Sequence, residues 1–262
     1  MNTGKKELAR GRRVLHWIVP IVIVVGWEAV VRTGVVPTRM LAAPTQVLAA
    51  GVELTLSGEL PRHLLVSLGR VAAGFLIGSG VGLSLGFLVG LGRPAEALLD
   101  STVQMIRNVP HLALVPFAIL WFGIDEGPKV FLVALGVVFP IYLNTVHGIR
   151  SVDPRLREMA RAYGLGPGQL VREVVLPGAL PGILVGVRYA LGIGWLSLVV
   201  GETIAARSGI GFLAMDAREF FRTDVMLLAL VIYALLGKLA DSLTRLLEQR
   251  FLAWHPSYAR RA

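Results

Sequence analysis

The chain has 262 residues, of which 55% are hydrophobic and 16% charged, with a mean hydropathy of +0.68. That exceeds what the core of a water-soluble domain of this length requires, so the composition points to an integral membrane protein. Cysteine is absent, which excludes disulfides, thiolate metal sites and cysteine nucleophiles, and His16, His63, His111, His147 and His255 lack ligand spacing, so no metal site is expected. A formal charge of +9 would suggest nucleic acid in a soluble protein; here the surplus Lys and Arg report orientation.

Apolar runs of roughly 17 to 25 residues are long enough to cross a hydrocarbon core as helices. Six candidates occur, at 14–31, 64–91, 98–123, 130–149, 182–201 and 225–247. The first follows a basic segment, KKELARGRR, with no small-residue cleavage site at the usual distance. Residues 1–13 are therefore read as a cytoplasmic tail, 14–250 as a six-helix transmembrane domain with a long loop at 151–181, and 251–262 as a cytoplasmic C-terminal tail. With the N-terminus inside, inner segments carry fifteen Lys and Arg, counting Arg245 at the inner end of the sixth run, and outer segments seven, the asymmetry that the positive-inside rule requires. An even number of spans leaves both termini in the cytoplasm.

The second run contains GFLIGSGVGLSLGFLVG, in which Gly74, Gly78 and Gly82 recur every four positions. Such spacing lets another helix approach closely, so this span is expected inside a helix assembly. The third run opens QMIRNVPHLALVPFAILWFG, placing Arg107, Asn108, Pro110 and His111 at membrane depth, where proline frees a backbone carbonyl that only protein or water can satisfy. An isolated span Arg costs about 2.5–3.5 kcal/mol on insertion scales. Arg107 and, in the fifth run, Arg188 therefore either face an interior substrate pathway or pair with an acid there, or snorkel to the inner interface. In the sixth run Lys238 and Asp241 are three apart and read as a mutually neutralising pair. Glu202 closes the fifth run as a further charge at depth. Trp121 and Trp195 read as packing or interfacial residues.

The long loop, REMARAYGLGPGQLVREVVLPGALPG, is the most polar long segment. Asp153 followed by Pro154 reads as an N-cap and first helical residue. Leu156, Met159, Ala160 and Tyr163 then fall on one stripe, and Gly164 is placed to end the helix in a left-handed turn. A helix of about ten residues is too short to be stable alone in water, so it must dock on something. Pro177 and Pro181 are expected to stop any helix from running straight into the fifth span.

This loop resembles the cytoplasmic signature of ABC importer permeases, E-A-A, three residues, G, nine residues, I, one residue, L-P. It is met here by Glu158, Met159, Ala160, Gly164, Val174, Leu176 and Pro177, with Met159 and Val174 as apolar departures. Stretches such as RNVPHLALVPFAILWFGI, LVALGVVFPIYLNTVHGI and ETIAARSGIGFLAMDAREF resemble the aliphatic sulfonate permeases of that family, with taurine and nitrate permeases as near relatives. The resemblance implies an all-α inner-membrane permease with the type I importer fold. It implies that the loop carries a coupling helix docked on a cytoplasmic ATPase. It further implies a homodimer, two ATP-binding subunits holding ATP and Mg, and a periplasmic or lipid-anchored solute-binding protein. Glu202, Gly209 and Gly211 would belong to a periplasmic gate. No phosphate-binding loop of the GxxxxGK[ST] type occurs, so the chain is not expected to be an enzyme or to bind a cofactor itself.

The cargo implied is a small organic anion, foremost an alkanesulfonate, with taurine, nitrate or a thiamine-precursor-like solute as alternatives. An ion-gradient-driven secondary transporter is the rival class, but it usually carries an intramembrane acid or histidine relay and two related halves of broken helices.

Overall fold

A computed structural model describes the backbone of residues 3–254 and, except at Ala205, the side chains of residues 18–254. The tail assigned to 1–13 therefore lies outside the described side chains, and most of the 251–262 tail lies outside the described residues. Among the described residues every regular element is a helix. In chain order these are α1 (Thr3–Arg32), α2 (Pro44–Leu56), α3 (Glu59–Leu91), α4 (Arg93–Arg107), α5 (His111–Phe122), α6 (Glu126–Arg150), α7 (Pro154–Ala162), α8 (Pro167–Ile204), α9 (Ile210–Glu219) and α10 (Thr223–Phe251). Helices α3, α6, α8 and α10 are long and apolar enough to cross a membrane, and α4 with α5 passes the same test as a bent pair. The side chains of Ile18 to Val25 on α1 are exposed.

The chain divides into two compact units, Met1–Arg62 with Leu213–Val231, and His63–Phe212 with Ile232–Ala262. In the first, Glu28 on α1 accepts hydrogen bonds from the Thr45 backbone amide (3.1 Å) and hydroxyl (2.9 Å) at the start of α2. The carboxylate there satisfies an orphan donor of the helix N-terminus. Gly51 on α2 faces Leu228 on α10, and the Thr223 hydroxyl donates to the Thr38 carbonyl.

The second unit is organised around α6. On α3 the expected glycine stripe runs further than Gly74, Gly78 and Gly82, continuing through Gly86 and Gly90. A Cβ at Gly74 would lie 2.6 Å from Val133, one at Gly82 2.9 Å from Ile141 and one at Gly90 2.8 Å from Ile149. The two backbones thus run parallel at a separation only glycine permits. On the opposite side, Gly186 of α8 meets Asn144 and Pro140, and Gly136 of α6 meets Ser197. Between these seams Val133, Val137 and Ile141 are fully buried with Ala190, Trp195 and Leu198 of α8 and Leu236 of α10. Trp195 is thus a packing residue, whereas Trp121 stays exposed beside Phe117 and Phe131.

The two proline-containing regions behave differently. In the third run the proline at depth does break the helix, as its freed carbonyl led one to expect: the chain breaks at Asn108–Pro110 and its halves are bent by 82°. Pro110 cannot donate to the Ile106 carbonyl, and that acceptor is taken by the Val109 amide at 3.1 Å, in a tight turn that ends α4. The expectation at Pro177 and Pro181 is corrected, because neither stops the helix. Pro177 enters just after a π-helical turn, Val171–Val175, and α8 runs on without a break into the span. The wider turn shifts the bonding register where proline's missing donor would otherwise leave a gap.

Candidate functional sites

Two regions of the second unit combine polar chemistry with a defined position, one at each end of α6. At the Arg150 end, α7 forms as the sequence dictates. The Asp153 carboxylate accepts from the Arg155 amide at 2.8 Å, Pro154 occupies the first helical position, and Gly164 closes the segment at φ +82°. The stripe divides in an informative way. Ala160 is 5% exposed and packs with Ile149, Leu170, Val175, Ala179 and Ile183, whereas Leu156, Met159 and Tyr163 are 47%, 52% and 79% exposed. One small side chain thus seats the helix on α6 and α8, and its three large apolar side chains face outward. Arg157 donates to the Ile149 carbonyl at the end of α6. Of the other signature positions, Val174 and Pro177 are half-buried, and Glu158 and Leu176 are exposed.

The same end ties α6 to the first half of the broken run. Arg150 pairs with Glu96 at 2.9 Å, and the buried Tyr142 hydroxyl donates to Asp100 at 2.7 Å. Both acids lie in a π-helical turn of α4, Glu96–Asp100.

At the Glu126 end lies a charge cluster, buried except at Glu126, whose side chain is 54% exposed. Arg70 of α3 uses every guanidinium group: Nε and Nη2 grip the two Glu126 oxygens at 2.5 and 2.7 Å, Nη1 donates to Glu202 at 2.7 Å and to the Ser208 carbonyl at 2.6 Å, and Nη2 also reaches the Ser208 hydroxyl at 3.0 Å. Glu202, 1% exposed, also accepts from Ser67 (2.7 Å), the Gly211 amide (2.8 Å) and Tyr233 (3.3 Å). Buried Lys129 donates to the Asp125 carbonyl at 2.8 Å and lies 3.5 Å from Glu126. Two cations thus face two carboxylates, and the buried one, Glu202, has hydrogen bonds on its remaining lone pairs, which is the condition under which buried charge is tolerated. The turn before α9 hangs on α3: the Gly209 amide donates to His63 Nδ1 and the Ile210 amide to Ser67 Oγ, both at 2.9 Å. Gly209 sits at φ +110°, and a Cβ there would collide with Glu202 and Arg70, so both the conformation and the space demand glycine.

The structure therefore brings Glu202, Gly209 and Gly211 together, but adds His63, Ser67, Arg70, Glu126, Lys129 and Tyr233, which the sequence reading passed over. A signal was present, since Ser67 and Arg70 share a helix face with the glycine stripe, and an Arg within one span complements a Glu within another.

The substrate-pathway candidates do not form one cluster. Arg107, Asn108 and Pro110 are exposed at the break, and half-buried His111 lies 3.2 Å from the Ser197 hydroxyl of α8. Arg188 pairs with Asp241 at 3.0 Å and lies 3.5 Å from Glu248, both on α10, beside a groove of about 260 Å³ lined by Leu191, Trp195, Val199 and Tyr233. This corrects the expected Lys238–Asp241 pair. Asp241 is taken by Arg188 and by Arg245 (2.9 Å), while Lys238 lies exposed. Arg188 reaches Asp241 from another helix, and Arg245 sits one turn along α10, the spacing that brings two side chains together.

Known proteins resemble the chain over most of its length. A family model described as "binding-protein-dependent transport system inner membrane component" matches residues 78–253. The chain is 56% identical over 246 residues, 94% of each chain, to an Escherichia coli (strain K12) protein named as an aliphatic sulfonates transport permease, SsuC. A Bacillus subtilis (strain 168) protein of the same name is 46% identical over 252 residues, 95% of this chain and 91% of the other. Among solved structures, an amino acid ABC transporter crystallised with histidines aligns at TM-score 0.62 and 20% identity, over 78% of this chain and 96% of that one. The latter is a likeness of fold.

Proposed function

The chain belongs to the binding-protein-dependent transport system inner-membrane component family, and from that premise we propose that it moves an aliphatic sulfonate through a membrane on energy supplied by separate ATP-binding subunits. The observation that carries the energy-coupling part is the division of the α7 stripe. A helix whose single buried contact, Ala160, reaches the core of α6 and α8, and whose Leu156, Met159 and Tyr163 face outward, is built to receive a partner and pass its displacement inward. Swinging a two-state transporter from 1:99 to 99:1 takes about 5.5 kcal/mol of differential binding, which this small surface must transmit. Glu158, Met159, Ala160, Gly164, Val174, Leu176 and Pro177 are its signature positions.

In this reading the Arg150 end of α6 is cytoplasmic and the Glu126 end periplasmic, with both termini inside, in keeping with the Lys and Arg asymmetry of the loops. A second copy of the chain completes the translocation path, two cytoplasmic subunits hold ATP and Mg, and a solute-binding protein delivers cargo to the Glu202–Gly209–Gly211 gate. The cargo assignment rests on the relatives named for aliphatic sulfonates. A sulfonate stays charged at physiological pH and carries three acceptor oxygens. It needs donors without a tight cage, and Arg107, Asn108 and His111 at the helix break supply them, while Arg188, held by Asp241 and Glu248, is a separate station whose charge is already balanced. The test is ATP-dependent uptake of labelled ethanesulfonate by the complex with its ATPase subunits and solute-binding protein in proteoliposomes. Uptake that vanishes without the ATPase is expected. Uptake of taurine or nitrate in its place would overturn the cargo, and gradient-driven uptake without the ATPase would overturn the importer reading.

A further inference from the structure

The charge cluster at the Glu126 end is more elaborate than membrane insertion demands. The charges balance, Arg70 and Lys129 against Glu126 and Glu202, but balance does not require that Arg70 itself bridge carboxylates from two helices and also hold the carbonyl and hydroxyl of Ser208. Three residues on one face of α3, His63, Ser67 and Arg70, each hold a different residue of the turn, respectively Gly209, Ile210 and Ser208. Glu202, at the end of α8, is bound to that turn through Gly211 and to α3 through Ser67 and Arg70.

The geometry points to Arg70 as a positioning residue for this turn, one that makes displacement of the turn and displacement of the end of α8 a single event. A guanidinium is a planar fork with five fixed donors, so its grip on Glu126, Glu202 and Ser208 at once fixes their relative directions. An ammonium preserves the charge but has only three rotatable donors and cannot hold a carboxylate in the bidentate manner seen at Glu126. The turn cannot yield alone. Gly209 has no side chain to absorb a shift, and moving its amide from His63 or that of Ile210 from Ser67 would strand buried polar groups. Force applied to the turn therefore passes to Glu202 and along α8, whose other end packs against Ala160 of α7.

This inference rests on the importer reading, in which a solute-binding protein acts on the Glu126 end and ATP hydrolysis answers at the other. The experiment uses Arg70→Lys in the full complex, in a chain whose lack of cysteine lets one nitroxide be placed at exposed Arg207 through Arg207→Cys. Two quantities are read: label mobility, and the ratio of ATP hydrolysis with and without ligand-loaded solute-binding protein. Arg70→Lys should loosen the label and lower the ratio by about tenfold, within the usual range for coupling between two sites. A label as immobile as in the parent chain overturns the positioning role. A loosened label with full stimulation overturns the link to α8. Should Arg70→Lys fail to assemble, Glu126→Gln, which keeps the size of a half-exposed side chain but breaks the two-point grip that orients Arg70, is read the same way and decides the same two points. If the parent complex is never stimulated by any binding protein, the importer reading fails, while the label still decides whether Arg70 positions the turn.

Discussion

The two ends of α6 solve opposite problems. At the Glu126 end, Arg70 and Glu202 are 3% and 1% exposed, and the donors and acceptors around them meet within the chain. At the Arg150 end, α7 presents Leu156, Met159 and Tyr163 outward and is anchored by one alanine and one arginine. The first region is complete in itself. The second buries little of its apolar stripe, so within this chain the short helix rests on its caps, the Ala160 seat and the Arg157 bond. Substitutions should therefore cost stability at the first end and partner-dependent activity at the second.

The largest effect is expected at the cluster. Glu202→Ala removes one partner from a buried ion pair and leaves Arg70, Ser67 and the Gly211 amide facing a void, a change worth about 3–5 kcal/mol. Thermal unfolding of the purified chain in detergent measures it. A midpoint within error of the parent would mean that the cluster is not the tightly satisfied structure described here.

A smaller cost with a larger functional consequence is expected at Gly164. Proline holds φ near −65° whereas this position sits at +82°, so Gly164→Pro forces the turn after α7 to rebuild at about 1–3 kcal/mol. The chain should still be recovered from membranes while ATPase binding and stimulated hydrolysis are lost. Survival of both activities would break the contrast between the two ends.

The smallest stability effect is expected at Tyr163, which is 79% exposed. Tyr163→Ser should leave the unfolding midpoint of the isolated chain within about 0.5 kcal/mol of the parent, yet weaken capture of the ATP-binding subunit in a pull-down from detergent. Unchanged capture would show that the outward face of α7 is not a docking surface.

The sequence by itself settled whatever depends on near neighbours in the chain. The Asp153 cap, the Pro154 start, the Gly164 stop and the stripe between them are local, fixed by dihedral preference and the 3.6-residue period, so α7 could be placed almost to the residue. The glycine spacing on α3 was equally legible, since only a close helix explains it. Tertiary structure decided the rest. Which acid neutralises an arginine depends on helices that meet only after packing: Arg70 reaches Glu126 and Glu202, 56 and 132 positions away, and Asp241 is taken by Arg188, 53 positions back, rather than by the nearer Lys238. Proline's effect was likewise undecidable locally. The same missing donor breaks the chain at Pro110, where a tight turn takes the freed carbonyl, and is absorbed at Pro177, where a π-turn shifts the register. Local preferences act over a few residues, while the pairing of buried charge and the rescue of a broken hydrogen bond are set by what the folded chain brings alongside.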